Sequence, residues 1–120
     1  MQWRIDSNRP VYVQIMEHIR SAVLSNEYPP GSRIPSVREL AALANVNPNT
    51  MQRAMTELEQ QGLLVSTGTL GRFVTEDKAV VDALRQQAIR EAVQDCVARF
   101  RELGLTMQEA AELLLKEGKV

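Results

Sequence analysis

Asn49, Gln52, Arg53 and Thr56 are side chains suited to base edges and phosphates, and they recur at i, i+3, i+4, i+7. Asn and Gln can make bidentate contacts to adenine, while Arg can contact guanine or a phosphate. Met51, Ala54, Met55 and Leu58 repeat the same spacing two residues later. At about 100° per residue, the two sets fall on roughly opposite faces of one helix. One face is a core stripe and the other is polar. Any surface helix has a solvated polar face, so this one gains meaning from what surrounds it.

Two neighbouring stretches add phosphate chemistry. Ser36-Val37-Arg38-Glu39 has the Ser-x-x-Glu form of a capping box. The free N–H groups of such a helix start can hold a phosphate oxygen, and Arg38 is offset from the apolar positions, so it can reach outward. Ser36 caps its helix whatever else it does. Further along, Gly68-Thr69-Leu70-Gly71-Arg72 puts flexible backbone beside a cation. Glycines at a hairpin tip can approach a sugar-phosphate backbone closely, and Arg72 can sit in or beside a minor groove. The plainer reading is an ordinary turn with an exposed Arg.

The elements that must hold these residues can be read from periodicity and punctuation. A first helix is predicted from Pro10, at N1, to about Asn26, with Tyr12, Ile15, Met16, Ile19, Ala22 and Val23 on one apolar face. Tyr28-Pro29-Pro30-Gly31 breaks the chain. A second, short helix follows Pro35, with Val37, Leu40, Ala41 and Ala44 inward. Asn47 is the expected N-cap and Pro48 the N1 residue of a third helix, which ends near Gly62. The period then drops to about 2, and Leu63–Ser66 and Arg72–Thr75 read as two short strands. Gln2-Trp3-Arg4-Ile5 is a candidate further strand. The plan is helix, helix, turn, helix, hairpin, which is a mainly α winged helix-turn-helix with a small β-hairpin wing.

Composition bounds the rest. A chain of 120 residues holds one domain with at most a short appendage, too small for a TIM barrel or a full Rossmann enzyme. The net charge of −1 by itself argues against nucleic acid. Its distribution changes that reading. Residues 1–75 carry seven basic residues, all Arg, against six acidic, while residues 76–120 carry seven against nine. One cysteine excludes an internal disulfide and a multi-cysteine zinc site, and fits a reducing compartment. With one His and one Cys, no Ser/His/Asp or Cys/His constellation can form. There is also no phosphate-loop signature, so neither an enzyme nor a cofactor is expected. His18 reads as a packing or surface residue rather than a metal ligand. The amino terminus has no apolar signal core, and no apolar run nears the roughly 20 residues of a membrane span. A soluble, cytoplasmic protein with no membrane partner is expected.

From Asp77 to Leu103, Val80, Val81, Leu84, Ala88, Ala92, Cys96, Phe100 and Leu103 recur at helical spacing. Such a helix is about 40 Å long. Gly104 ends it, and Thr106-Met107-Gln108-Glu109 opens another with Ala110, Ala111, Leu113 and Leu114 predicted inward. Two helices cannot bury these stripes against each other alone, so a second copy of the chain is the natural cover; packing back onto the first domain is the other option. The expected interface is Val81, Leu84, Ala88, Ala92, Cys96, Phe100, Leu103, Leu113 and Leu114, with Cys96 a buried thiol. A tail this small leaves little room for an effector chamber of about 300 Å³ or more. No small-molecule effector is identified by the sequence. The division is therefore 1–75, a reading domain, and 76–120, a helical dimerisation tail.

Ile34-Pro35-Ser36-Val37-Arg38-Glu39-Leu40-Ala41, Val46-Asn47-Pro48-Asn49-Thr50-Met51-Gln52-Arg53-Ala54 and Leu58-Glu59-Gln60-Gln61-Gly62-Leu63 together resemble the GntR family of bacterial transcription regulators. Pro10-Val11-Tyr12-Val13-Gln14-Ile15 and the Asn-Pro-Asn-Thr start of the third helix are similar to its YtrA-type subfamily, which pairs this domain with a short helical tail. The resemblance implies a homodimeric DNA-binding regulator, a repressor by type, on an inverted-repeat operator in double-stranded DNA. It further implies control of its own operon, often with ABC transporter genes. It places Arg38 where the family uses an Arg on DNA. Asn47, Asn49, Thr50, Gln52 and Arg53 fall on the recognition-helix start and face, and Gly68 on the wing. Two departures stand out. The family's Gly-x-Gly-x-Phe-Val wing is here Gly68-Thr69-Leu70-Gly71-Arg72-Phe73-Val74, and Asn26 replaces a Gly after the first helix, where Asn also tolerates left-handed geometry. The rival from another class is a winged-helix protein-interaction module that binds no DNA, its polar helix face being a docking surface.

Overall fold

The computed structural model describes residues 3–119, which form two compact units that divide between Asp82 and Ala83. In the first, α1 (Val11–Leu24) starts one residue later than predicted, because Pro10 has ψ 131° and stands as the cap rather than in the first turn. Buried Gln14 explains the fixed entry. Its Nε2 donates to the Asp6 and Arg9 carbonyls at 2.7 and 3.0 Å, and its Oε1 accepts from the Asp6 N–H at 2.9 Å. A buried amide with its bonds filled costs little and pins the chain before the helix. Asn26 takes the left-handed conformation, φ 66°, as its substitution for Gly anticipates.

Both later helices of this unit are punctuated locally. α2 (Val37–Ala44) opens with the full capping box: the Glu39 N–H donates to Ser36 Oγ at 3.1 Å and the Ser36 N–H to Glu39 Oε1 at 3.4 Å. It closes on Asn45 at φ 55°, with the Val46 N–H reaching the Ala41 carbonyl. α3 (Pro48–Gln60) has Asn47 as N-cap, Pro48 in its first turn, and Gly62 at φ 81° just beyond its end. Met51, Met55 and Leu58 of α3 are fully buried with Ile15 and Ile19 of α1, Leu40 of α2, and Leu63, Leu64 and Val74 of the hairpin. Each such side chain contributes about 1.5–3 kcal/mol by leaving water. α3 packs against α1, α2 and the hairpin, so the core stripe read from the sequence is the hub of the unit.

The hairpin pairs β1 (Leu64–Ser66) with β2 (Arg72–Val74) in antiparallel register, Val65 opposite Phe73. A third extended lane lies on the other side of β2, and it is not the one predicted. Ser32 accepts from the Val74 N–H at 2.9 Å, the Ile34 N–H donates to Arg72 O at 3.0 Å, and Arg33 bridges Phe73. Of the predicted strand Gln2–Ile5, Gln2 lies outside the described residues and Trp3–Ile5 is irregular chain. Trp3 instead sets its ring 4.9 Å from that of His18, whose Nε2 is 3.4 Å from the Arg4 carbonyl oxygen. His18 is thus a packing residue.

α4 (Lys78–Glu102) is continuous across the boundary between the units. In the second unit it ends at Gly104, φ 79°, with the Leu105 N–H donating to the Phe100 carbonyl. α5 (Met107–Glu117) opens with the predicted Thr106/Glu109 capping box. The Thr106 backbone and hydroxyl bonds hold the Glu109 carboxyl below its ordinary range. Within a single chain the apolar stripes of the tail are left largely open. No α4 residue is buried, Cys96 and Phe100 are half-buried, and Leu113 and Leu114 are 45% and 50% exposed. Only Ala110 of α5 is buried, because two helices leave one side of each stripe uncovered.

Candidate nucleic-acid interface

A three-residue turn, Asn45-Val46-Asn47, joins α2 to α3. The left-handed Asn45 redirects the chain, and Asn47 Oδ1 accepts from the Asn49 N–H at 2.8 Å. The Asn47 side-chain oxygen is therefore already used as a cap. Asn49, Gln52, Arg53 and Thr56 all lie exposed on α3, opposite Met51, Ala54, Met55 and Leu58, while Thr50 is half-buried. Gln52 Nε2 donates to Thr56 Oγ1 at 3.2 Å, which pre-orients its amide along the helix. Arg53 is less free than its position in the sequence implies. Its guanidinium carbon lies 3.7 Å from the centre of the Tyr12 ring of α1.

The start of α2, the lane before it and the wing form an open cleft of about 370 Å³ lined by Arg33, Ser36, Arg38, Ser66, Gly71 and Arg72. Ser36 and Arg38 are exposed at its α2 side. Arg33 is the residue sequence reasoning missed. It sits in the third lane, with Ile34 buried behind it and its own side chain outward. Nothing in the short run before Pro35 reads as a strand, and its pairing with Phe73 is made only in the folded chain. Gly71 has φ 112°, and a Cβ there would come 2.9 Å from Arg33 Nε. Glycine at this point thus lets the Arg33 side chain lie against the wing.

The wing departs from a simple hairpin loop. Gly68–Leu70 make one turn of 3-10 helix, closed by the Thr67 N–H on the Gly71 carbonyl at 3.0 Å. Gly68 and Thr69 are exposed at the tip. Arg72, expected as a free cation, instead turns toward α3 and pairs with Glu59, each side chain 21–28% exposed. Glu59 also accepts from Ser66 Oγ at 2.8 Å. Partial burial pushes the Glu59 carboxyl up, but the hydrogen bonds from Arg72 and Ser66 outweigh it and hold it below the usual carboxylate range. Glu39 is likewise engaged in the α2 cap. Glu59 is thus taken up by Arg72 and Ser66, and Arg33 and Arg38 line the cleft.

Among the described residues no cluster of His, Cys, Asp and Glu could hold a metal ion, and no helix is long and apolar enough to cross a membrane.

A family model described as bacterial regulatory proteins, gntR family, matches residues 11–74. The HTH-type transcriptional regulator YhcF of Bacillus subtilis (strain 168) is 38% identical over 112 residues, 93% of each chain. The HTH-type transcriptional repressor YtrA of the same organism is 29% identical, covering 88% of this chain and 82% of its own. Among solved structures, a GntR family transcriptional regulator from Listeria monocytogenes superposes with a TM-score of 0.85 at 29% identity, over 93% of this chain and 98% of that one. The DNA-binding domain of AraR, solved with operator ORX1, superposes with a TM-score of 0.55 at 28% identity, over 62% of this chain and 99% of its own.

Proposed function

The chain belongs to the GntR family of bacterial regulatory proteins and is a DNA-binding transcription regulator, and from that premise we propose that it represses transcription as a homodimer on an inverted-repeat operator. One observation carries the reading. The exposed Asn49, Gln52, Arg53 and Thr56 face of α3 shares a unit with a cleft walled by Arg33, Arg38 and Arg72, and the Arg72–Glu59 pair ties that wall to the last turn of α3. α3 enters the major groove, where Asn49 and Gln52 read base edges, assisted by Asn47 and Thr50 at the helix start. A DNA phosphate occupies the cleft, held by Arg33, Arg38, Ser36 and the start of α2. Gly68, Thr69 and Gly71 bring the wing backbone to the flanking strand, while Arg72 acts chiefly from the cleft wall.

Repression is supported by the name of the relative YtrA, and operator DNA by the AraR complex. The tail pairs two copies, so half-sites lie about one or more helical turns apart. The family resemblance extends the reading to a cytoplasmic regulator of its own operon, with ABC transporter genes among its targets.

The test uses a duplex enriched from a random-sequence pool by the wild-type protein. Gln52→Ala should cost about 1–3 kcal/mol and relax discrimination at one base position. Arg33→Ala and Arg38→Ala should weaken all sequences alike and each lower the salt slope by about one. Wild-type affinity in all three variants would refute the site. Binding indifferent to salt would instead mark α3 as a protein-docking face.

A further inference from the structure

We propose that Tyr12 is a positioning residue for DNA reading, its ring holding the Arg53 guanidinium in the attitude in which Arg53 meets DNA. The inference rests on the reading of α3 given above.

The two side chains come from different helices, Tyr12 from the first turn of α1 and Arg53 from the exposed face of α3. Pattern alone assigns Tyr12 to the apolar face of α1, yet it is only half-buried, unlike Ile15, Met16 and Ile19. Its ring lies under the Arg53 guanidinium, 3.7 Å from the ring centre to the guanidinium carbon. That is well inside the range over which an aromatic quadrupole attracts a cation. A guanidinium is planar and carries its five N–H donors in that plane. Stacking one face on a ring therefore leaves the donor edges available for a phosphate or guanine.

The physical consequence is pre-organisation. A long, exposed Arg loses rotamer freedom when it grips DNA, and a stack made before binding removes part of that cost from the binding step. α1 packs on α3, and Ile15 and Ile19 of the one and Met51 of the other are buried, so the ring stands on a fixed platform. Gln52, the next residue back, is likewise pre-oriented by Thr56 at 3.2 Å. The reading face thus presents side chains already arranged, and Arg53 serves the DNA groups beside the first turn of α1.

A double-mutant cycle tests this on the same selected duplex. Tyr12→Leu, which keeps an apolar side chain against the core, is paired with Tyr12→Phe, which keeps the ring. Tyr12→Leu should lower affinity about two- to fivefold, the exposed-site value of one cation–π contact. Tyr12→Phe should bind like wild type. In an Arg53→Ala background, Tyr12→Leu should cause no further loss, because its effect passes through the guanidinium. Thermal unfolding of each variant separates this from instability, since lost folding would reduce binding in both backgrounds. An equal loss from Tyr12→Leu with and without Arg53 would overturn the proposal. So would an unchanged Tyr12→Leu, or a Tyr12→Phe as weak as Tyr12→Leu. A wild-type protein that selects no duplex would instead overturn the reading of α3 itself.

Discussion

Glu59 decides where the charge of Arg72 goes. The carboxylate accepts from both Arg72 and Ser66, tying the base of the wing to the last turn of α3. Its lowered pKa fixes the sign of the pH dependence. Because the folded value lies below the ordinary 4.5, the contribution is complete above that pH and is lost as pH falls through the folded value. Glu59→Gln should therefore be less stable than wild type at neutral pH, by on the order of 1 kcal/mol for a partly buried pair at the surface. The difference should shrink as the wild-type carboxylate protonates. Urea unfolding from pH 7 to 3 checks it, and a constant difference across that range would count against the pairing. Caps at this scale were readable because a cap is local: Ser36 and Asn47 bond within three residues of themselves. The partners of Arg53 and Arg72 were not. Tyr12 and Glu59 meet them only after α1, α3 and the hairpin have packed.

At the scale of elements, α2 is eight residues long and depends on its ends. An isolated helix of that length has no stability of its own, so the Ser36 cap and the packing of Leu40, Ala41 and Ala44 must hold it. Ser36→Ala should cost about 1 kcal/mol in urea unfolding. Ser36 also lines the proposed phosphate cleft, so Ser36→Ala and Ser36→Gly, which both lack the hydroxyl, should each lose more affinity for DNA than their stability changes explain. Wild-type affinity in Ser36→Gly, which keeps most of the capping strength, would remove the hydroxyl from the phosphate seat. Helix periods and the period change at Gly62 placed four of the five helices to within about two residues, the accuracy of any boundary assignment; α1 and its Pro10 cap showed why an N1 assignment can slip by one. The third lane of the sheet was different. Residues 31–34 show no strand run, and only their bonds to β2 make them extended.

For the molecule as a whole, the tail is where apolar surface is left over. Ile89, Val93, Cys96, Phe100 and Leu103 of the α4 region recur at i, i+4, i+7, i+11, i+14, a heptad spacing that suits a helix partner. Ile89, Val93 and Leu103 are 49%, 56% and 72% exposed. Ile89 and Val93 were missing from the stripe read in the sequence, which followed Ala88 and Ala92 one position away. With the proposed dimer, Ile89→Glu/Val93→Glu should turn a dimer into a monomer at micromolar concentration in sedimentation. It should also weaken operator binding far more than binding to a single half-site. A double variant that stays dimeric would move the interface elsewhere. The net charge of −1 no longer argues against DNA, because the acidic excess lies in residues 76–120, while Arg33, Arg38 and Arg72 line the cleft and Arg53 stands on the exposed face of α3.

Read without coordinates, the chain already yields its helices, their caps, the turn before α3 and the two faces of α3. All of these are set by neighbours within about four residues, where periodicity and side-chain chemistry speak directly. Packing alone assigned the partners: Arg53 to Tyr12, Arg72 to Glu59, Arg33 to the wing through Gly71. Those contacts join residues distant in sequence, and nothing in local pattern encodes a distance that only the closed core fixes.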